Sequence, residues 1–599
     1  MTRVESFYFS FVFIGLFLHT SLFSQSPEFA EMDEDKYIEI TDYEKFARPK
    51  VLGRNGETIF VIDREIEQNR IITSTIYKIE NKEDTKEVKV SPLNGNKESV
   101  INARLYDGMI FCYGYKWRGK GNTNTDQFIR IYDSNLNRIG EDIHIASMIL
   151  NPAEMGLGIK PGFFGTIGAI PVALPIFLSD ISLDENGNYA FWMTKLSTGP
   201  NSEQVKKMIK DGVIEGDKDD ATEIAWRRMD MQLHFVNIDP NGYLQKNDSI
   251  HIEVEGQERK SLSGALINGC NFFGEGDGQV LLLDIWDPKS ATGMNVFDDA
   301  RFPWITTHSL LLCKIEDGKM INIYSPSNDV NYLTSNGYWE ESKFYVKGFY
   351  ALEGQTGWAG VYNLEFNEEL SLQKEEFLPL EGNIDHESLN GDEAFTLRAM
   401  YKGSQGQIQN AQIVELEDDR KILVGELYTQ ITGEEYQHDK SDKPLGPRKY
   451  GNRIDTRVFV EDIDYVAHYY NKLVLFEIDE NDQISRDVAV ISKKQKAGTH
   501  DTNYMSYAAS TDGSDLVIHF NDSKNILRKG YMESPSMYGG TTGKSHVLQE
   551  FRLDQDMSLK QIIYLKGTQR NLLPRARYEG DNGVIDLFSD KKNLLLYAW

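Results

Sequence analysis

Two arginines in the last thirty residues are the side chains best suited to bind a ligand. Arg575 and Arg577 are separated by one residue in the segment LLPRARYEG. A planar guanidinium group donates two parallel hydrogen bonds to a carboxylate, so a pair of arginines can clamp an acidic ligand. His386 is a third candidate, because it lies between Asp385 and Glu387 and could bind a ligand or relay a proton. The alternative for His386 is an exposed loop residue.

Motifs for the common catalytic and cofactor sites are missing or incomplete. The segment GGTTGKS at Gly539–Ser545 lacks the first glycine of a phosphate-binding loop, since Tyr538 takes its place, and a strand-like segment follows it. The sequence has no HExxH pair of zinc ligands and no Gly-x-Ser-x-Gly elbow. The acidic turn DENDQ at Asp479 lacks the glycine and distal glutamate of a calcium loop. We therefore predict no catalytic residue, no metal site and no cofactor.

The balance of charges disfavours nucleic acid as a partner. The chain of 599 residues has a formal net charge of −28, and an acidic surface repels phosphate backbones. Apolar residues make up 40% of the chain, which is enough for a large core. Cys112, Cys270 and Cys313 lie far apart in apolar, strand-like segments, which predicts buried free thiols. Pairing of two of them is the alternative for an exported protein.

The first residues have the pattern of a secretory signal peptide. The apolar run FVFIGLFLHTSLFS follows Arg3, and a polar, acidic stretch follows Gln25. The apolar run is short for a membrane span. We predict cleavage after Ser24, which makes residues 1–24 a signal peptide and residues 25–50 a polar amino-terminal segment. An uncleaved anchor is the alternative; no later run resembles a spanning helix, so we expect no transmembrane span in the mature chain.

A strand–turn–strand unit recurs about eight times along the rest of the chain. Its clearest copy is Leu473–Val490, LVLFEIDENDQISRDVAV, in which a polar turn joins an apolar strand to a strand of β-branched residues. Each copy follows a leading strand, and acidic residues mark comparable places in several turns. The leading strands begin at Thr58, Gly108, Asn188, Gln279, Lys343, Glu393, Arg457 and Asp515. Their hairpins begin at Ile76, Ile129, Leu233, Leu310, Gly360, Ala411, Leu473 and Leu548. The turn acids are Asp133, Asp239, Asp317, Asp479 and Asp554.

This spacing predicts an all-β fold, a β-propeller over residues 51–599 with seven or eight blades, eight being favoured. A single blade cannot bury both of its faces, whereas a closed ring of blades can. We expect the ring to close by pairing Leu594–Trp599 with Tyr37–Thr41 or with Thr58–Ile62. An array of β-sandwiches is the alternative. A last pair of strands, Val584–Phe588 and Asn593–Trp599, follows the eighth hairpin.

Two insertions interrupt the third unit. Met148–Leu178 is apolar and rich in glycine and proline, with neither a helical nor a strand period. It is expected either to pack over the propeller or to present an apolar patch to a partner or membrane surface. The residues of this insertion predicted to make that contact are Phe163, Phe164, Ile167 and Ile170. The second insertion, Asn201–Asp230, has the pattern of two short helices.

The chain resembles the large exported β-propeller proteins of the Bacteroidota. The resemblance rests on the FSQ end of the signal and on units such as LVLFEIDENDQIS and LQEFRLDQDMSLK, and it covers most of the mature chain. Exported proteins of that group often carry a carboxyl-terminal sorting domain, and here the last strand runs to Trp599 without one. The resemblance therefore implies a periplasmic or outer-membrane-associated protein. The segment Ser182–Trp192 also resembles the Asp-box of sialidase-type propellers, which is a turn and not a catalytic motif.

Two functions from different classes follow from these patterns. The first is a non-enzymatic envelope propeller that binds a protein partner, as a subunit or scaffold of an envelope complex. The alternative is a propeller that binds or hydrolyses glycan at its central funnel, and hydrolysis would need two carboxylates about 5 to 10 Å apart. Acidic side chains, His386 or Arg575 at the funnel would favour the alternative, whereas an exposed apolar patch would favour the first function.

Overall fold

β-Strands make up almost all of the regular structure in this chain. The computed structural model describes residues 28–33, 37–40, 49–67, 70–80, 85–91, 98–118, 124–149, 176–197, 202–212, 230–252, 267–274, 279–286, 308–316, 319–324, 330–352, 358–379, 407–432, 466–498, 505–523, 546–556, 558–566, 571–580, 583–589 and 594–599. An α-helix, α1, spans Ser202–Lys210 and confirms the first helix predicted in the second insertion. Within the described part of the chain, no helix has both the length and the apolar character needed to cross a membrane.

Eighteen strands of the described residues precede the fifth blade in the sequence. They are β1 (Glu28–Glu31), β2 (Tyr37–Ile40), β3 (Lys50–Asn55), β4 (Thr58–Glu67), β5 (Arg70–Ile79), β6 (Thr85–Ser91), β7 (Glu98–Tyr106), β8 (Met109–Arg118), β9 (Asn124–Tyr132), β10 (Arg138–Ile149), β11 (Ser182–Leu183), β12 (Tyr189–Ser197), β13 (Asp230–Ile238), β14 (Leu244–His251), β15 (Ile267–Phe273), β16 (Gln279–Trp286), β17 (His308–Glu316) and β18 (Lys319–Tyr324). β1 and β2 precede the first blade in sequence and belong to the last two in space.

The remaining blades repeat the pattern. Their strands are β19 (Val330–Glu340), β20 (Lys343–Leu352), β21 (Gly360–Asn367), β22 (Leu372–Pro379), β23 (Gln407–Glu415), β24 (Lys421–Thr432), β25 (Val466–Ile478), β26 (Ile484–Gly498), β27 (Ala508–Asp512), β28 (Asp515–Ser523), β29 (His546–Leu553), β30 (Leu559–Lys566), β31 (Asn571–Leu572), β32 (Tyr578–Gly580), β33 (Gly583–Ser589) and β34 (Leu594–Ala598). A 3-10 helix, Pro574–Ala576, lies between β31 and β32.

Eight sheets form the blades of a β-propeller, as predicted. Blades 1 to 6 are β3–β6, β7–β10, β11–β14, β15–β18, β19–β22 and β23–β26, each a meander of four strands. Blade 7 is β27–β30 with β1 added at its outer edge, and blade 8 contains β31–β34 and β2. The first strands of neighbouring blades contact one another, as β3 does β7 and β19 does β23, so these strands line the axis of the ring.

The predicted units and the blades differ at one place. The hairpin at Ala411 and the hairpin at Leu473 were predicted as separate units, but β24 pairs with β25 over Lys421–Thr432, so both belong to blade 6. The leading strands predicted at Glu393 and Arg457 lie outside the described residues. The eighth blade is instead the last pair of strands, β33 and β34, completed by β2. The long connection inside blade 6 therefore made one sheet resemble two units.

The ring closes through strands from the two ends of the described chain. Tyr37–Ile40 pairs antiparallel with Leu594–Tyr597, which confirms the first of the two expected closures. β1 pairs in parallel with β30, with Glu28 opposite Ile562. The boundary predicted at residue 51 is therefore wrong, because two strands of the 25–50 segment supply outer strands of the propeller. β1 and β2 form hydrogen bonds with the backbone groups of β30 and β34, which would otherwise be unpaired edge strands.

The connections divide the propeller into two unlike faces. On the turn face, defined here as the side where the first strand of each blade meets the second and the third meets the fourth, each connection has two to five residues. The opposite side is the long-connection face. From it leave the connections 150–181, 198–229, 287–307, 380–406, 433–465 and 524–545, each longer than twenty residues. Both predicted insertions thus leave the same face of the ring.

Six of the described turns on the turn face share one pattern of hydrogen bonds. In the turn at Asp479, one carboxylate oxygen accepts hydrogen bonds from the backbone N–H groups of Asn481 (2.9 Å) and Gln483 (2.8 Å). The carboxylate thus accepts hydrogen bonds from backbone N–H groups that have no backbone acceptor where the chain reverses. The same pattern occurs at Asp133, Asp184, Asp239, Asn367 and Asp554. The prediction that these acids are turn residues is confirmed for all but Asp317, which lies outside the described residues.

Apolar side chains between neighbouring blades form the core. Between blades 5 and 6, Trp358 is buried against Phe349 and Phe476, with ring centroids 5.7 and 6.4 Å apart. Between blades 2 and 3, Phe111 meets Phe191 in an edge-on contact at 6.1 Å. Aromatic rings suit this place, because each fills the wedge-shaped gap between two sheets with a large apolar area.

Candidate functional site

A cavity of about 380 Å³ lies in the central channel of the propeller. Its walls come from the inner strands and adjoining segments of blades 2 to 6, so five successive blades build it together. The lining residues are Arg104, Leu178, Ser179, Asp180, Cys270, Asn271, Phe272, Phe273, Asn336, Gly337, Gln412 and Ile413. Polar groups and two phenylalanine rings thus line one concave space, and concave spaces are where small ligands bind, although this lining is more polar than that of most ligand sites.

Arg104 is the cationic residue of this lining. It lies on β7, and its guanidinium group donates to the carboxylate of Asp180 (2.6 Å) and to the backbone oxygen of Leu178 (3.0 Å). These contacts tie the first strand of blade 2 to the segment that leads into blade 3. The Arg104 side chain keeps 38% of its surface exposed. A guanidinium held at one edge and exposed elsewhere is positioned to meet an anion.

Two further cations lie beside Arg104, on blade 1. Lys50 begins β3, and Arg64 on β4 donates to the backbone oxygen of Ile101 (2.7 Å) on β7. Burial, and next the positive charges of Arg104 and Arg64, lower the pKa of the Lys50 ammonium group. The positive charges of the three side chains therefore act on one another, and of the three Arg104 is the one that lines the cavity.

Amide side chains continue the lining on the other side of the cavity. Asn271 on β15 is exposed, and Gln412 on β23 is partly buried. The amide nitrogen of Asn336 on β19 is buried without a hydrogen-bond partner among the described residues. A buried donor left unpaired destabilises a fold by about 1–3 kcal/mol, so this nitrogen is a place where a bound hydroxyl or water oxygen would be favourable.

Arg575 reaches from blade 8 towards blade 6 across the axis side of blade 7. The 3-10 helix Pro574–Ala576 interrupts the inner strand of blade 8 and carries Arg575 outward from it. The exposed guanidinium donates to the side-chain oxygen of Asn410 (3.3 Å) on the inner strand of blade 6. Arg575 is thus an accessible cation near the axis, as the funnel hypothesis requires, and its binding role stays a prediction.

Beneath Asn410 a buried polar network joins blades 6 and 7. The Glu426 carboxylate has no exposed surface and accepts hydrogen bonds from Asn410 (2.6 Å), from Ser506 (2.6 Å) and from the Lys493 ammonium group. Burial lowers the pKa of Lys493, while the Glu426 charge opposes that effect. A buried charge pair satisfied in this way holds its strands in one register. The network therefore positions Asn410 and, through it, Arg575.

Arg577 points away from Arg575, into the interface between blades 7 and 8. Its guanidinium group makes two hydrogen bonds of 2.6 Å to the Asp586 carboxylate and one of 2.9 Å to His519. The indole of Trp599 also donates to Asp586 (2.7 Å) and stacks on the His519 ring at 4.3 Å. The structure separates the predicted pair of arginines, so they do not form a common clamp. Ligand binding by Arg577 stays a prediction.

The other predicted contact residues, His386 and the apolar set Phe163, Phe164, Ile167 and Ile170, lie outside the described residues. Sequence patterns missed Lys50, Arg64 and Arg104, which lie in three different strands. The signal that could have found Arg104 is its position in INARLY, a short strand just before the turn that leads to GMIFCY. Arg104 becomes a candidate binding residue only when this strand is known to be the inner strand of its blade, next to the axis.

One serine–histidine–aspartate group occurs on blade 2, but its hydrogen bonds do not connect the three side chains as those of a catalytic triad do. Ser147 donates to Asp126 (2.7 Å) and lies 2.9 Å from the Nε2 atom of His144. In a catalytic triad the histidine lies between the serine and the carboxylate. Here the Ser147 hydroxyl donates its hydrogen bond to the carboxylate itself, and the Nε2 atom of His144 also lies 3.6 Å from Asp126. Within the described residues, no group of three or more His, Cys, Asp or Glu side chains has the geometry to hold a metal ion.

The three cysteines are buried free thiols, as predicted. Burial raises the pKa of the Cys313 thiol to about 12 and raises that of Cys112 further above its usual range. Cys270 borders the cavity, and burial followed by the neighbouring Cys313 raises its pKa as well. Because the thiolate is the nucleophilic form, these groups are unreactive at neutral pH.

No protein-family model matches the chain, and no curated protein is significantly similar to it. The polysaccharide lyase Uly1 is 10% identical over 95% of this chain and 99% of its own, with a TM-score of 0.37. The WD40 domain of SCAP from fission yeast is 9% identical over 96% and 98% of the two chains, also with a TM-score of 0.37. An acylaminoacyl peptidase is 9% identical over 90% and 57%, with a TM-score of 0.30. At these TM-scores the likenesses carry no argument about activity.

Proposed function

We propose that this protein is a non-enzymatic β-propeller of the cell envelope that binds a protein partner through its long-connection face, as a subunit or scaffold of an envelope complex. The observation that carries the proposal is the division of the connections. The turn face has reversals of two to five residues, whereas six connections of more than twenty residues leave the opposite face. Variable loops on a rigid scaffold are the usual carriers of binding function.

A protein is the kind of partner that this arrangement suits. A stable protein interface covers roughly 800 Å² on each side, far more than a pocket for a small molecule. Connections from blades 2 to 7 leave the same face, so residues from most of the ring can contribute to one surface. The apolar insertion predicted at Met148–Leu178 falls in the connection between blades 2 and 3, and apolar residues that are exposed together mark contact sites.

The glycan-hydrolysing alternative has less support in the channel. A glycosidase needs two carboxylates on either side of its substrate. Among the described residues that line the cavity, Asp180 is the one carboxylate, and it is paired with Arg104. We therefore propose no hydrolytic reaction.

The test is affinity purification of the tagged full-length protein from detergent-solubilised envelopes of the native host. In one variant a short Gly-Ser linker replaces residues 152–174. This shorter deletion spares the ends of the insertion, because Ile176 and Leu178 pack in the core and Leu178 bridges to Met193. The matched control carries Tyr243→Ser and Leu183→Ser, which remove two exposed apolar side chains from the turn face.

We expect one protein to co-purify with the wild type and with the turn-face control and to be lost from the deletion variant. Equal thermal unfolding of the three proteins would show that the deletion leaves the fold intact. A partner that is retained by the deletion variant but lost from the turn-face control would place the interface on the wrong side. Absence of any reproducible partner of the wild type would overturn the proposal.

A further inference from the structure

We propose that His519 of blade 7 and Arg577, Asp586 and Trp599 of blade 8 form an acid-sensitive latch, in which protonation of His519 turns the acceptor of the Arg577 hydrogen bond into a donor and releases the outer strands of blade 8. The latch goes beyond the proposed partner binding, because it concerns the blade that closes the ring and not the long-connection face.

The hydrogen bonds of His519 fix the position of its one proton. The residue is 1% exposed and lies on β28, the second strand of blade 7. Its Nδ1 atom lies 2.9 Å from a guanidinium nitrogen of Arg577, which can only donate, so Nδ1 must accept. Its Nε2 atom lies 3.0 Å from a carboxylate oxygen of Glu550, which can only accept, so Nε2 carries the proton. The closed interface therefore holds His519 as the neutral imidazole.

On the blade 7 side, a buried carboxylate binds the Nε2 proton of His519. Glu550 has no exposed surface, and it also accepts hydrogen bonds from the Arg552 guanidinium and the Tyr564 hydroxyl, both at 2.6 Å. Arg552 in turn pairs with the exposed carboxylate of Asp512 (2.5 Å). Although burial opposes them, the donors around Glu550 lower its pKa to about 2. Glu550 therefore stays charged throughout the range in which a histidine titrates.

On the blade 8 side, a cation and an aromatic ring cover the imidazole. The Arg577 guanidinium makes two hydrogen bonds of 2.6 Å to the Asp586 carboxylate, which lies 3.9 Å from the Nδ1 atom of His519. The Trp599 indole donates to the same carboxylate (2.7 Å) and stacks on the imidazole, with ring centroids 4.3 Å apart. Three side chains of blade 8 thus close over one side chain of blade 7.

A second proton on His519 does not fit this arrangement. It would place an N–H donor on Nδ1 opposite the Arg577 guanidinium, so that two donors and two positive charges would face each other. Burial lowers the pKa of His519 and the Arg577 charge lowers it further, although Glu550 and Asp586 oppose the shift. In the open interface the imidazole regains water and its usual pKa of 6.5. Below that pH the open form binds one proton more than the closed form, so acid favours opening.

Hydrogen bonds that do not titrate limit the opening to the outer part of blade 8. The Asn521 side chain, also on β28, donates to the backbone oxygen of Leu572 (2.8 Å) and accepts from its backbone N–H group (2.9 Å). These two bonds hold the inner strand β31 on blade 7 at neutral and acidic pH alike. Asp586 lies on β33 and Trp599 follows β34, so β33 and β34 are the strands that the latch controls.

Hydrogen–deuterium exchange of the full-length protein, followed by mass spectrometry between about pH 7.5 and pH 5, tests the latch. Protection factors corrected for the intrinsic exchange rate report the opening equilibrium of each strand. We expect the protection of β33 and β34 to fall below pH 6.5 by up to about tenfold per pH unit, because each opening takes up one proton. The protection of blades 2 to 5 should change much less.

Two substitutions separate titration of His519 from its packing. His519→Asn places an amide oxygen near the accepting Nδ1 position, and His519→Gln places an amide nitrogen near the donating Nε2 position, but neither amide takes up a proton. Each variant should lose the pH dependence of blade 8 protection, even where the protection itself is lower. The matched control is His234→Gln, which removes a buried histidine from blade 3, where Nδ1 lies 2.8 Å from the side-chain oxygen of Asn247. This control should keep the wild-type response of blade 8.

Thermal unfolding at the same pH values gives a second measurement. On acidification, the melting temperature of the wild type should fall by more than those of the two His519 variants. Protection of β33 and β34 that does not depend on pH in the wild type would overturn the proposal. An equal loss of protection in all eight blades, or the wild-type pH response in a folded His519 variant, would overturn it as well.

Discussion

Lys347 is a lysine without exposed surface, held between blades 5 and 6. Its ammonium group donates to the side chain of Asn363 and to the backbone oxygen of Asp482, both at 2.6 Å, and lies 4.6 Å from the ring centroid of Tyr345. Burial lowers the pKa of Lys347 to about 7, although the Asp482 charge opposes the shift. The amine can lose its charge near neutral pH and still donate both hydrogen bonds, so it joins two blades without a full buried charge.

This pKa makes the stability of the protein depend on pH in a defined direction. The unfolded chain keeps the proton of Lys347 up to its usual pKa of 10.5, whereas the folded protein releases it above about pH 7. The unfolded state then binds more protons, so the free energy of unfolding gains roughly 1 kcal/mol per pH unit across that window. We expect the wild type to gain stability relative to Lys347→Met between pH 7 and pH 9, measured by urea denaturation. Parallel pH profiles for the two proteins would contradict this.

At the scale of elements, the recurring turn explains why the turn face is so regular. A carboxylate or amide oxygen at the first position accepts two backbone N–H groups, and blade 5 uses Asn367 where other blades use aspartate. The requirement is therefore for the oxygen and not for the charge. A left-handed backbone at a later position, as at Asp482 (φ 57°), completes the reversal.

Asp479 offers a direct test of that requirement. Asp479→Ala removes the acceptor of two backbone hydrogen bonds and should lower the free energy of unfolding by about 1–2 kcal/mol. Asp479→Asn keeps the accepting oxygen and should lower it by much less, as Asn367 indicates. Thermal and urea unfolding of both variants would measure the difference. If alanine and asparagine are equally destabilising, the negative charge is what the turn needs.

At the scale of the whole molecule, closure depends on strands far from the rest of their blades in sequence. β2 pairs with β34, and Tyr37 packs edge-on against Tyr597 (4.8 Å) and Phe588 (5.8 Å). β1 adds a further strand outside β30 in blade 7. Removal of β2 would expose the edge of β34 and the aromatic cluster behind it, whereas removal of β1 exposes one outer edge only.

Two truncations separate these contributions. A protein starting at residue 35 lacks β1 and should unfold at a slightly lower temperature in one transition. A protein starting at residue 45 lacks β2 as well, and should unfold at a much lower temperature and become sensitive to proteolysis in blade 8, because the ring is open. Calorimetry and limited proteolysis measure both effects. Similar behaviour of the two truncations would show that β2 does not carry the closure.

The sequence by itself determined the strands and their turns. Alternation of apolar and polar residues and the turn acids are local properties, and a side chain such as Asp479 bonds to backbone only two and four residues away. These patterns were sufficient to predict an all-β propeller of seven or eight blades, with eight favoured, and two candidate closures, of which the structure shows the one through Tyr37–Ile40. They could not show that the hairpins at Ala411 and Leu473 share one sheet. Two strands separated by a long connection can pair without any feature of the local sequence that indicates the pairing.

Only the tertiary structure decided which side chains meet. Arg575 and Arg577 are neighbours in sequence, yet a 3-10 helix that ends at Ala576 turns one towards the axis and the other into a blade interface. Conversely, Lys50 and Arg104 are far apart in sequence and their positive charges act on one another, since the ring brings the first strands of blades 1 and 2 side by side. The channel wall takes its residues from successive blades, so its chemistry exists only once the ring has closed.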